Sequence, residues 1–248
     1  MARWALFLGS VAFLAAPSSS QAKEPRVDAA ARQASTYMGR TIAPPMSYSG
    51  ADWLTRESRD AEEDPKRLLK ALELKPGQTV CDFGCGNGFY TLQIANLVGP
   101  RGVVYAVDIQ SEMLKLLAER AGPRGLANVR TVLATEDDPG LGTRRFDLIL
   151  MVDVYHELAD PAAVLKAARA SLKPRGRIAL AEFREEDPAV PILPLHKMSI
   201  AQVMRELPAN GLKLVGQHDG LPWQHLLFFA RNDSPLMSTP VREWGRQP

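Results

Sequence analysis

Beyond residue 64 short apolar runs alternate with stretches in which apolar residues recur every three or four positions. The runs Thr79–Phe83, Val103–Val107, Asn128–Leu133, Phe146–Val152, Arg177–Glu182, Leu212–Gly216 and His225–Ala230 predict strands. Helices are predicted between them. One opens at Asp64-Pro65, with Asp as N-cap and Pro in the first turn, carries Leu68, Leu69, Leu72 and Leu74, and stops at Pro76-Gly77. Others cover Asn87–Val98, the segment capped by Ser111 that carries Met113, Leu117 and Ala121, the segment opened by Asp160-Pro161, and Ser199–Leu207. Phe146–Val152 is nearly all apolar, as a strand covered on both faces should be. Repeated strand–helix–strand units require right-handed crossovers, which gives an α/β fold: a mostly parallel sheet with helices on both faces.

The ends read differently. Residues 1–22 hold Arg3, an apolar stretch from Trp4 to Ala16, and the small-x-small pattern Ser20-Gln21-Ala22, which together predict an export signal. The expected location is therefore periplasmic or secreted, with a cytoplasmic or membrane-anchored form as the alternative. Residues 23–64 are polar and read as a loop-and-helix lid region, 65–231 as the main domain, and 232–248 as a loose tail. Within the lid region, Trp53, Arg56 and Arg59 are candidates to cover a site. A formal net charge of +2 gives no bulk attraction toward nucleic acid or an anionic membrane. The two cysteines, Cys81 and Cys85, are too few for a disulfide scaffold or a structural zinc site, and they read as small packed side chains. No metal site is predicted.

The candidate chemistry sits at Val80-Cys81-Asp82-Phe83-Gly84-Cys85-Gly86-Asn87-Gly88-Phe89. A strand runs into a turn with glycine at three alternate positions, and a helix follows. Ligands of open α/β sheets bind at such carboxyl ends of strands. The dinucleotide fingerprint wants its third glycine where Phe89 stands, and a P-loop needs a lysine that is absent. A tight turn without a ligand is the plainer alternative. Asp108 ends the second strand, where a carboxylate can accept from both hydroxyls of a ribose, although a helix cap is also open to it.

The D-x-G-x-G-x-G turn resembles the first motif of class I SAM-dependent methyltransferases. Asp108, the strand ending Val152-Asp153-Val154-Tyr155-His156-Glu157-Leu158, and Leu172-Lys173-Pro174-Arg175-Gly176 follow in that family's order. The likeness spans about Pro65 to Arg231. It implies a seven-stranded sheet with the last strand antiparallel and S-adenosylmethionine (SAM) as cofactor. The cofactor contacts that the likeness implies are Gly84, Gly86 and Gly88 against the methionine part, Asp82 toward the amino group, Asp108 and Ile109 at the ribose, and Glu136 or Asp137 at the adenine. The stretch from Glu185 to Ser199, the main insertion between the late strands, is short, which points to a small-molecule acceptor, with a peptide or protein side chain as the alternative. Plain turn chemistry is open to Glu136-Asp137-Asp138. Asp153, Tyr155 and His156 fall where substrate meets the methyl donor, and an unperturbed histidine there can take a proton near neutrality. Rival expectations are a non-catalytic SAM- or nucleotide-binding module and, disfavoured by Phe89, a nicotinamide-dependent oxidoreductase. Oligomeric state is not legible.

Overall fold

The computed structural model describes residues 35–136, 138–142 and 145–244, so the signal-like segment 1–22 and Asp137 lie outside the described residues. The chain forms β1 (Thr36–Tyr37), β2 (Arg40–Thr41), α1 (Arg59–Glu63), α2 (Pro65–Ala71), β3 (Thr79–Phe83), α3 (Phe89–Val98), β4 (Val103–Asp108), α4 (Ser111–Ala121), β5 (Val129–Leu133), β6 (Phe146–Val152), α5 (Pro161–Ser171), β7 (Leu172–Phe183), α6 (Ile200–Ala209), β8 (Leu212–His218) and β9 (Gln224–Arg231). The main sheet has seven strands in the order β5-β4-β3-β6-β7-β9-β8. β3, β4, β5, β6 and β7 pair in parallel, and β9 runs antiparallel to both β7 and β8.

The apolar strands are explained by burial on both sides. Ile149 and Met151 of β6 join Ile178 and Leu180 of β7 beneath α5 and α6. Leu148 and Leu150 join Ala179 and Ala181 on the opposite face, beneath α2 and α3. The strand period of two therefore sends apolar residues into each core.

Several helix boundaries move from the sequence reading. α3 begins at Phe89 instead of Asn87, because Gly88 takes a left-handed conformation (φ +81°) at its N-cap. Ser111 is the first residue of α4, not its cap, and its hydroxyl meets Glu112. Asp64 and Asp160 cap their helices as expected, and Ser199, read as the first residue of its helix, is its cap instead; each accepts from a backbone N–H three residues on. The lid region adds a small hairpin, β1–β2, and a 3-10 helix over Tyr48–Thr55. The stretch read as a loose tail contacts β8: Thr239 N donates to Leu214 O at 2.9 Å, and Trp244 packs on the main core. Cys81 and Cys85 are both buried, and neither is in a disulfide. Among the described residues no helix is long and apolar enough to cross a membrane.

Candidate active site

A cavity of about 520 Å³ opens at the carboxyl edge of β3, β4 and β6, a size suited to a small organic ligand. The strand ends form its floor. Trp53, Arg56, Arg59 and Pro44–Met46 from the lid region cover one side, and Leu193, Leu195 and His196 from the Pro-rich loop between β7 and α6 cover another.

The glycine turn is pinned from below. Gly84 N and Cys85 N both donate to Val107 O (2.8 and 3.0 Å), and Gly88 N donates to Cys85 O at 3.0 Å. Gly86 N donates to Asp108 Oδ2 at 2.8 Å, while Gln110 N donates to Asp108 Oδ1 at 2.9 Å. Asp108 is buried, and removal from water raises its carboxyl above the ordinary value against the opposing pull of these N–H groups. The amides of Gly84, Cys85, Gly86 and Gly88 are thus committed within the protein. A pyrophosphate needs free N–H groups at such a turn; this one brings the bare Cα positions of Gly84 and Gly86 to the cavity instead, beside the Asp108 carboxylate.

The structure sorts the predicted contacts. Gly84, Gly86, Asp108, Ile109 and Glu136 line the cavity. Gly88 does not: a Cβ there would lie 2.7 Å from Leu117 Cγ, so this glycine lets α3 pack on α4. Asp82 is also displaced from its expected role. Its carboxylate lies under the turn and accepts from Thr91 Oγ1 at 2.5 Å, and burial pushes it up to about 6. Asp138 holds its own turn, accepting from Gly140 N at 2.9 Å. Trp53, Arg56 and Arg59 all reach the cavity. Arg59 lies over the Phe89 ring at 4.2 Å and is held by Glu63 at 2.8 Å; Arg56 stacks on Trp53 at 3.7 Å.

Beyond β6 the three candidate catalytic residues separate. Asp153 takes a left-handed backbone (φ +52°) and lines the cavity. Its Oδ2 accepts from Gln224 Nε2 at 2.6 Å, while Oδ1 is shielded from solvent with no partner among the described residues. Removal from water, then the Glu63 and Glu182 carboxylates, hold its carboxyl well above the ordinary range. Tyr155 points away: its hydroxyl donates to Glu206 Oε2 at 2.6 Å, a carboxylate also held by Arg40, and it does not reach the cavity. The structure thus directs the Tyr155 hydroxyl away from the place expected of a catalytic group.

His156 does line the cavity, but not as a free base. Burial alone would lower its affinity for a proton; the Glu182 carboxylate, 2.6 Å from Nδ1, reverses this and lifts the ring to about 9. His156 thus keeps its proton at neutrality, contrary to the sequence expectation. Its Nε2 lies 3.1 Å from Nδ1 of His196, which burial and the His156 charge lower to about 4. Glu157 Oε1 lies 3.7 Å from both of those nitrogens, and removal from water pushes it up to about 7.

Sequence reasoning missed Glu182 and His196. Glu182 had a signal, a charge ending the apolar run of β7 at 0% exposure. His196 had none, since it sits in an irregular loop 40 positions from His156.

A family model described as a methyltransferase domain matches residues 74–227, more than half the chain. The chain belongs to this methyltransferase family. A SAM-dependent methyltransferase from Aquifex aeolicus has a similar structure (TM-score 0.69, 29% identity), covering 75% of this chain and 98% of that one. By family and fold, this is a class I SAM-dependent methyltransferase domain. Nocamycin O-methyltransferase of Saccharothrix syringae is 35% identical over 118 residues, 46% of this chain and 41% of that one. The ubiquinone/menaquinone biosynthesis C-methyltransferase UbiE of Vibrio vulnificus is 30% identical over 139 residues, 55% of this chain and 54% of that one. The chain thus spans about half the length of these curated relatives.

Proposed function

We propose that this protein transfers a methyl group from SAM to a small organic acceptor. The observation that carries the reading is the glycine turn whose Gly84, Cys85, Gly86 and Gly88 amides are tied down beside the Asp108 carboxylate, which disfavours a pyrophosphate and leaves bare backbone for the donor. The Asp108 carboxylate takes the ribose hydroxyls through its remaining lone pairs, with Ile109 beside it. Glu136 lies toward the adenine. The methionine end rests on Gly84 and Gly86. There the unpartnered Oδ1 of Asp153 meets the α-ammonium and Arg59 the carboxylate. These assignments give Asp153 a part in donor binding.

The acceptor occupies the other end of the cavity, over β6 and β7, between Phe183, Leu193 and Leu195 and the polar corner of His156, Glu157 and His196. Relatives named for nocamycin, aklanonic acid and quinone biosynthesis support a small acceptor. In the transfer an acceptor lone pair forms the new bond to the methyl carbon. The carbon–sulfur bond breaks with its electron pair on sulfur, leaving neutral S-adenosylhomocysteine, and any proton on the acceptor leaves to water. SAM is already activated, so alignment supplies most of the acceleration. Residues 1–22 are proposed to direct export, which fractionation and N-terminal sequencing of the mature protein test.

Titration calorimetry with S-adenosylhomocysteine and with NAD tests the ligand assignment. Saturable binding of the first and none of the second is expected. The reverse pattern would overturn the reading in favour of a nicotinamide enzyme.

A further inference from the structure

We infer that His156, Glu157 and His196 form a binding site for a divalent transition metal of the zinc class at the acceptor end of the cavity. The three residues bring His156 Nε2, His196 Nδ1 and Glu157 Oε1 together, all within 4.8 Å of one another. Their separations are 3.1 Å between the nitrogens and 3.7 Å from the carboxylate oxygen to each nitrogen. The centre of such a triangle lies about 2.0 Å from each corner, the length of a zinc–nitrogen or zinc–carboxylate bond. Two imidazoles and one carboxylate leave further positions free, as catalytic zinc sites do.

A second, independent feature is the support around the ligands. His156 Nδ1 is held by Glu182 Oε2 at 2.6 Å, and Glu182 is wholly buried and also accepts from Tyr155 N at 2.9 Å. A carboxylate on the far nitrogen of a ligating histidine fixes the ring's tautomer and aim. The His156 carbonyl is itself gripped by Arg40 Nη1 and Ala43 N, at 3.0 and 3.1 Å. On the other side, the loop carrying His196 is braced by Lys197 Nζ, 2.6 Å from Val190 O, and by Met198 N, 3.0 Å from Phe183 O. Both histidines are positioned before any ion arrives.

All three ligands line the same cavity as the glycine turn. A metal there would take an oxygen, nitrogen or sulfur of the acceptor in an open position. As a Lewis acid it would ease loss of that atom's proton. Only this second step rests on the methyltransferase reading. The site itself is tested with the metal alone.

The test is calorimetric titration of the untagged, metal-stripped full chain with Zn²⁺, with Co²⁺ absorption as a spectroscopic readout. Wild type should bind one equivalent and show the visible bands of nitrogen- and oxygen-ligated Co²⁺. His196→Ala alters a loop residue and should abolish both signals. Glu182→Gln, which leaves the three ligands in place, should weaken Zn²⁺ by about 10- to 100-fold. S-adenosylhomocysteine affinity and circular dichroism report folding of each variant and separate failure of the metal site from failure of the donor site. No Zn²⁺ binding by folded wild type, or equal binding by folded His196→Ala, would overturn the inference.

Discussion

Replacing Asp108 by alanine tests donor recognition at its most exacting point. In the proposed complex its two oxygens accept from the ribose diol, and a hydrogen bond to a charged group contributes about 1.5–3 kcal/mol. Losing two such bonds removes about 3–6 kcal/mol, and at 1.4 kcal/mol per tenfold the affinity for S-adenosylhomocysteine falls by at least ~100-fold. The same oxygens hold Gly86 N and Gln110 N at 2.8 and 2.9 Å. Each amide left without a partner costs about 1–3 kcal/mol of stability. Affinity must therefore be measured by calorimetry well below the variant's Tm, with circular dichroism confirming the fold. A folded Asp108→Ala protein with an affinity within about threefold of wild type would refute the assignment, since that is below 1 kcal/mol.

Gly88→Ala should destabilise without touching the donor site. A left-handed alanine costs about 1–2 kcal/mol and the crowding against Leu117 about 1–3 more, seen as a lower denaturant midpoint; a stable variant that has lost SAM binding would contradict this. Tyr155→Phe removes the donor to Glu206 and should lower stability by about 1–3 kcal/mol while leaving S-adenosylhomocysteine affinity unchanged, the opposite of what a catalytic tyrosine would give. Asp82 provides a pH test. Its carboxyl rises from 3.8 to about 6 on folding, so the folded state prefers the protonated form, and that preference is lost as pH rises through about 6. Asp82→Asn keeps an acceptor for Thr91 and removes the buried charge. Urea melts should find it more stable than wild type by up to ~3 kcal/mol above pH 6, the difference vanishing near pH 4; a gap independent of pH would contradict the burial argument.

The sheet was legible because its strands carry their own pattern. β6 is buried on both faces and reads as an unbroken apolar run, and Asp108 stands at a strand end where its chemistry can be inferred from position. Legibility ends at Asp153. Its left-handed φ breaks the strand period, so the directions of Tyr155 and His156 no longer follow from counting; one turns to Glu206 and the other to the cavity. Gly88 belongs to the motif by spacing, yet its bareness serves Leu117, a packing contact with no trace in local sequence. Glu182 and His196 reach His156 only through the fold, one across the sheet edge and one from an irregular loop. That long-range meeting also turns a histidine of ordinary proton affinity into one that holds its proton to about pH 9.

The central claim is that the cavity at the ends of β3, β4 and β6 holds the methyl donor. A crystal structure with S-adenosylhomocysteine tests it most directly. The account predicts the ribose hydroxyls on the Asp108 carboxylate and the amino-acid end over Gly84 and Gly86, with its ammonium at Asp153 Oδ1. Density for the ligand elsewhere, or a ribose turned away from Asp108, would contradict it.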